Sequence, residues 1–290
     1  MLREAHFERP HDGVLTRTVE HDHAARSLQR HVACEAVDEL LPVAEAAGVE
    51  HVVAVEDEQH AAKDAGVERE RAYLDELVAR LRSVLGDALL GVYAGGSFAL
   101  GGYEAGRSDL DVAVVVREPL DDEVAERIVD AVRHGSLPVP ARKLELVIYT
   151  QAAARSTSTE PAFELNLNTG ENEPFRADLT PQPGEGHWFA IDRSVLRRNG
   201  VSVYGPPANE VFAEPSQTEL LPLLALVLRW YLREEPESKD GLLNAGRSLR
   251  FAREGVWSPK PELKTWAADA VSEAGSSEAV LRQAIEELER

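Results

Sequence analysis

Two carboxylates two residues apart, Asp109 and Asp111, stand before an apolar run, Val112-Ala113-Val114-Val115, and after a turn containing Gly95-Gly96-Ser97. If the run is a strand, both carboxylates share one face and Leu110 takes the other. Neighbouring carboxylates repel unless a cation lies between them. Mg²⁺ suits the pair, because it takes one or two carboxylates and completes its shell with substrate phosphate oxygens. Gly95 and Gly96 let the backbone approach an anion closely, and amides of the turn with the Ser97 hydroxyl suit terminal phosphates. An Asp-x-Asp alone marks nothing more than a solvated strand end. The Gly-Ser turn before it and the apolar strand after it make it a phosphate-and-metal signature. Glu145, between Leu144 and Leu146, is a third carboxylate, placed to accept a proton or to pair with Arg142 or Lys143.

The elements that must position these residues follow from periodicity. Glu68 to Leu85 carries Tyr73, Leu74, Leu77, Val78, Leu81 and Leu85 at helical spacing, with Gly86 as the stop. Leu89 to Ala94 reads as a buried strand, Gly95 to Ser108 as a Gly-rich turn with a short helix, and Asp109 to Val116 as a second strand. A helix follows from Asp121 to Arg133, then a strand from Lys143 to Thr150. Residues 151 to 187 are rich in Thr, Ser, Asn, Pro and Gly and read as ordered loops. A helix over His187 to Arg198 and a short element at Ala208 to Phe212 come next. Leu220 to Leu232, Asp240 to Arg253 and Ser276 to Glu289 are all helical. Before Glu68, the spacing suggests helix over His21 to Ala47, a short strand over His51 to Val55, and no firm signal to Gly66. The expected organisation is an N-terminal extension of unassigned role (1–66), an α+β unit (67–214) of mixed sheet and flanking helices, and a small all-α C-terminal domain (215–290).

Composition narrows the possible partners. The chain has 290 residues, 51 acidic against 31 basic side chains and a formal charge of -20, which disfavours nucleic acid and anionic membranes. A cationic acceptor fits better, but acidity also serves solubility or a salty cytoplasm, so charge only excludes. The single Cys34 excludes an internal disulfide. The charged Met1 to Asp12 segment lacks the apolar core of a signal peptide, and no run is long enough to span a bilayer, so a cytoplasmic protein is expected.

Gly96-Ser97 through Val115, with Glu145 in Leu144-Glu145-Leu146-Val147-Ile148, resembles the polymerase-β-type nucleotidyltransferase superfamily. His187-Trp188-Phe189-Ala190-Ile191-Asp192-Arg193, Gly205-Pro206-Pro207-Ala208-Asn209-Glu210-Val211-Phe212, Leu243-Asn244-Ala245-Gly246-Arg247 and Ser258-Pro259-Lys260 are similar to the aminoglycoside adenylyltransferases that modify streptomycin and spectinomycin. The resemblance implies a polymerase-β-like domain followed by a helical domain, and Mg²⁺-dependent transfer of AMP from ATP to a hydroxyl of an aminoglycoside or aminocyclitol. It implies Mg²⁺ on Asp109 and Asp111, triphosphate on Gly96 and Ser97, Glu145 as base, and Arg247 and Lys260 on the phosphates. Glu235, Glu237 and Asp240 fall in the stretch that would meet a cationic acceptor. The family's tryptophan that stacks on streptomycin has no counterpart in Asn168-Thr169-Gly170-Glu171-Asn172. The alternatives are a nucleotidyltransferase with a protein or other acceptor, and a catalytically silent nucleotide-binding module.

Overall fold

A computed structural model describes residues 49–181 and 186–290; of 49–66 and Gly186 only the backbone element is described. The helix expected over His21 to Ala47, Cys34, and Gln182 to Glu185 lie outside the described residues. The described residues open with α1 (Val49–Leu85), β1 (Leu89–Ala94), α2 (Gly96–Ala99), β2 (Leu110–Val116), α3 (Asp122–Val132), β3 (Leu144–Thr150) and α4 (Gln151–Ala154). It continues through β4 (Leu165–Thr169), β5 (Arg176–Asp178), α5 (Gly186–Asn199), β6 (Val201–Tyr204) and α6 (Ala208–Val211). Four helices close the chain: α7 (Gln217–Glu234), α8 (Lys239–Glu254), α9 (Lys264–Ala274) and α10 (Ser277–Leu288).

Among the described residues six strands form one mixed sheet in the order β5-β4-β3-β2-β1-β6. β2 and β3 run parallel and the other neighbours antiparallel. Alternation along β2 and β3 separates two cores. Leu110, Val112, Val114 and Val116, with Leu144, Leu146 and Ile148, pack under Leu74, Leu77 and Leu81 of α1 and Ile128 and Val132 of α3. Ala113, Val115 and Tyr149 face the opposite way, onto Phe189 and Leu196 of α5 and Phe212 beyond α6. Asp111 and Glu145 lie on this second face, at the end where both strands begin.

α5 contributes to two cores at once. Its Ala190, Ile191 and Val195 join Leu220, Leu224 and Leu228 of α7, Phe251 of α8 and Ile285 of α10. Arg193, fully buried, holds the chain after α4 by donating to the carbonyls of Ala153 and Ser158. Ser194 Oγ donates to Glu214 at 2.6 Å and accepts from Trp257 Nε1 at 3.0 Å, tying α5 to the C-terminal helices. Trp257 stacks on Phe251 at 4.0 Å, a core position. Among the described residues no helix is long and apolar enough to cross a membrane.

The α+β fold with a helical C-terminal region stands as expected, and several elements differ. The strand expected over His51 to Val55 and the unassigned stretch to Gly66 are part of α1. Three valines favour a strand, but Ala, Glu and Lys surround them, and extending an existing helix adds a hydrogen bond for each residue fixed. β4 and β5 occupy the stretch read as loop. β4 reads Leu165-Asn166-Leu167-Asn168-Thr169, alternating buried Leu with half-buried Asn, and is held by pairing with β3 rather than by propensity. β6 and α9 also went unassigned. Asp109 sits one residue before β2 rather than in it.

The α1 contact with the sheet is dry enough to test directly. Leu77 is 0% exposed, so Leu77→Ala is expected to lower unfolding stability by about 2–5 kcal/mol in urea titration.

Candidate active site

The turn after β1 is shaped around Asp111. Gly95 N–H donates to the Asp111 carbonyl at 2.8 Å, so the turn is pinned to β2. Gly96 has φ +48° and a Cβ there would collide with the Asp111 carboxylate, so both backbone and space require glycine. Ser97 follows, and its carbonyl accepts from Gly102 N–H at 2.9 Å.

Asp111 and Glu145 are direct partners in the parallel ladder, so their side chains emerge side by side. Burial first, then the charges of Glu145, Asp192 and Asp109, raise Asp111 well above the usual carboxylate range. Asp109 is held by Arg142 through two hydrogen bonds, Nε to Oδ1 at 2.8 Å and Nη2 to Oδ2 at 2.6 Å. Burial still leaves Asp109 raised, opposed by Arg142 and reinforced by Glu145. Lys143 Nζ lies 2.5 Å from Glu145 and 3.9 Å from Asp109. Desolvation lowers the Lys143 ammonium, and the two carboxylates outweigh it. The salt-bridge alternative for Glu145 is therefore realised with Lys143, while Arg142 takes Asp109.

The opposite wall comes from the helices. Asp192 of α5 reaches water, yet the surrounding protein and then the Glu145 charge push it up to about 7, with Arg247 and Arg193 pulling the other way. Arg247 of α8 is half-buried; desolvation lowers its guanidinium, and Asp111, Tyr231, Asp192 and Asp240 counter that. Its Nε donates to the Ser258 carbonyl at 3.0 Å. Gly246, beside it, is bare because a Cβ would meet the Trp266 ring 2.6 Å away.

The other residues singled out from the sequence group differently. Lys260 Nζ pairs with Asp240 Oδ1 at 2.9 Å, so a cation assigned to phosphate and an anion assigned to the acceptor hold each other. Glu235 caps the end of α7, and Glu237 is exposed in the connection to α8. Asp192 was missed as a site residue, although the segment His187 to Arg193 had been singled out. The signal available was a charge on an otherwise apolar stretch, Phe189-Ala190-Ile191, and only packing reveals that it faces the carboxylates.

Among the described residues no group of three or more His, Cys, Asp and Glu side chains is assembled to hold a metal ion. The chemistry of the donors nevertheless fits Mg²⁺. Asp111 is crowded by the charges of Glu145 and Asp109, and one or two carboxylates, here Asp109 and Asp111, completed by phosphate oxygens are what that ion uses. Binding through Asp109 requires its carboxylate to exchange Arg142 for the ion.

A carboxyl that binds its proton more tightly in the native than in the unfolded state makes stability fall as pH rises from its ordinary pKa to its native one. For Asp192 that window runs from 3.8 to about 7. Asp192→Asn is expected to flatten the decline of Tm between pH 4.5 and about 7.5 in pH-resolved thermal melts. An unchanged slope would show that Asp192 does not carry it.

Residues 74–162 match the family model described as nucleotidyltransferase domain. A comparison with curated proteins finds no match. Among solved structures, the chain is similar to spectinomycin adenyltransferase AAD(9) from Enterococcus faecialis with ATP and spectinomycin. The TM-score is 0.55 at 17% identity, over 76% of this chain and 99% of that one. It is more distantly similar to a toxin-antitoxin with AMP-PNP, with TM-score 0.26 and 12% identity over 54% of this chain and 89% of that one. A complex of tri-AMPylated Shewanella oneidensis HEPN toxin with MNT antitoxin gives TM-score 0.23 and 14% identity over 56% and 89%. The last two overlap too loosely to bear on function. A mixed sheet, a Gly-Ser turn locked to the Asp111 strand and the match over residues 74–162 agree: this part of the chain is a nucleotidyltransferase domain.

Proposed function

We propose that the protein transfers AMP from ATP to a hydroxyl of a small cationic acceptor, an aminoglycoside or aminocyclitol such as spectinomycin or streptomycin, and releases pyrophosphate, a resistance-type activity. The observation that carries this reading is the pairing of Asp111 with Glu145 beside the Gly96-Ser97 turn, with Asp192 and Arg247 close enough for their charges to act on the two carboxylates. Carboxylates on both walls favour an amine-bearing acceptor over an anionic polymer.

In this reading the turn amides and Ser97 receive the β and γ phosphates. Asp109 and Asp111 would hold Mg²⁺, which when bound neutralises charge on the phosphoryl oxygens. Glu145 takes the proton of the attacking hydroxyl, and Lys143 beside it holds the carboxylate in place. Arg247 stabilises charge that develops as pyrophosphate leaves. Lys260 exchanges Asp240 for phosphate, which frees Asp240 to join Asp192, Glu235 and Glu237 around the acceptor's ammonium groups. Residues 67–214 then form the nucleotidyltransferase domain and 215–290 the helical domain that closes on nucleotide and acceptor, in a cytoplasmic enzyme.

Incubating the protein with ATP, Mg²⁺ and a panel of aminoglycosides and aminocyclitols should give products heavier by one AMP in mass spectrometry. Labelled protein or tRNA with unmodified drugs would point to a macromolecular acceptor instead. Asp111→Asn should keep the fold and lower kcat by at least about a thousandfold, because the electrostatic stabilisation of phosphoryl charge goes with the ligand. Asp192→Asn should raise KM for a cationic acceptor several-fold while KM for ATP stays within about twofold, the pattern of lost acceptor binding alone.

A further inference from the structure

The Gly-rich turn ends in two glycines, Gly101 and Gly102, whose needs differ. Gly101 has φ +76° and nothing within 4 Å of a Cβ placed on it, so glycine serves the backbone there. Gly102 lies outside the left-handed region and has no such requirement. A Cβ on Gly102 would stand 2.9 Å from Pro259 Cβ and 3.1 Å from Pro261 Cδ. Carbon atoms pack best at about 3.5–4.0 Å, and both neighbours are atoms of rigid rings. Glycine at 102 serves space.

That space lies between two parts of the proposed nucleotide site. On one side, Gly102 N–H is bonded to the Ser97 carbonyl at 2.9 Å, so a push on Gly102 reaches the phosphate turn. On the other side, Pro259 and Pro261 flank Lys260 at the start of a short 3₁₀ turn, Lys260–Leu263. The residue before Pro259 is Ser258, whose carbonyl holds Arg247. One segment therefore bears or steadies both phosphate-directed cations. Two further contacts join the same surfaces: Leu100 packs into the helical core, and Lys264 Nζ lies 3.9 Å from Glu104.

We propose that Gly102 is a positioning residue for nucleotide binding: lacking a side chain, it lets the Pro259–Pro261 segment close on the phosphate turn and so sets the distance between Ser97 and Lys260. The inference rests on the nucleotidyl-transfer reading above. It concerns a residue that touches neither substrate nor metal and acts through the loop it admits.

The test is calorimetric binding of a non-hydrolysable ATP analogue with Mg²⁺, together with KM and kcat for ATP. Gly102→Ala should weaken analogue binding by about tenfold or more and raise KM for ATP by a similar factor, with kcat at saturation within about threefold. Pro259→Gly, which removes the wall from the other side, should weaken binding several-fold. The double variant Gly102→Ala with Pro259→Gly removes the ring carbon nearest the added methyl group and should bind better than Gly102→Ala alone. Analogue binding in Gly102→Ala equal to the wild type, or a double variant no better than the single one, overturns the proposal. If Gly102→Ala does not fold, Pro259→Gly decides, and unaltered analogue binding in that variant overturns the proposal. A wild-type protein that binds no analogue removes the functional reading along with this one, whereas normal wild-type binding with unaltered variants removes this one alone.

Discussion

Two carboxylates held side by side by a parallel strand pair are the constraint on which the site depends. Asp111 and Glu145 share a rung, and neither can turn away, because the alternate residues of both strands are locked in the core under α1 and α3. Two like charges about 4 Å apart repel by roughly 1 kcal/mol in water and about 4 kcal/mol near a protein surface. That is too little to break a ladder of seven paired residues and enough to draw in a proton or a cation. Arg142 and Lys143 supply positive charge on one side, to Asp109 and Glu145, and Asp111 is left facing Glu145 and Asp192.

The second requirement is an opposing wall, and α5 provides it by belonging to two cores. Phe189 and Leu196 bind it to the sheet, Ala190, Ile191 and Val195 bind it to the C-terminal helices, and Arg193 anchors it from within. Asp192 and Arg247 are thereby held opposite the strand carboxylates by packing remote from the cleft. Burial is what raises Asp111 first, ahead of the neighbouring charges, with the hydrophobic layers of the sheet packed behind it.

Much of this arrangement was legible along the chain. The helix at 68–85, the strands at 89–94 and 144–150, and the turn between Gly95 and Ser108 follow from local spacing, and so does the proximity of Gly96 to Asp111, which lies only fifteen positions later. β4, β5 and β6 were not legible, because short strands at the margins of a sheet exist through pairing rather than through their own residues. The extension of α1 through Val52, Val53 and Val55 shows the reverse effect, a helix overriding a local preference for strand.

The sequence by itself determined the side chains available: a Gly-Ser turn, a pair of aspartates and a strand glutamate, because each belongs to a short segment whose periodicity points its side chains. Only the tertiary structure decided which charges meet. Arg142 on Asp109, Lys260 on Asp240, and the charge of Asp192 on Asp111 depend on the β2–β3 register and on the seating of α5 and α8. Coulomb interactions depend on distance in space, and contacts between residues twenty or more positions apart leave no period in the chain that reports them.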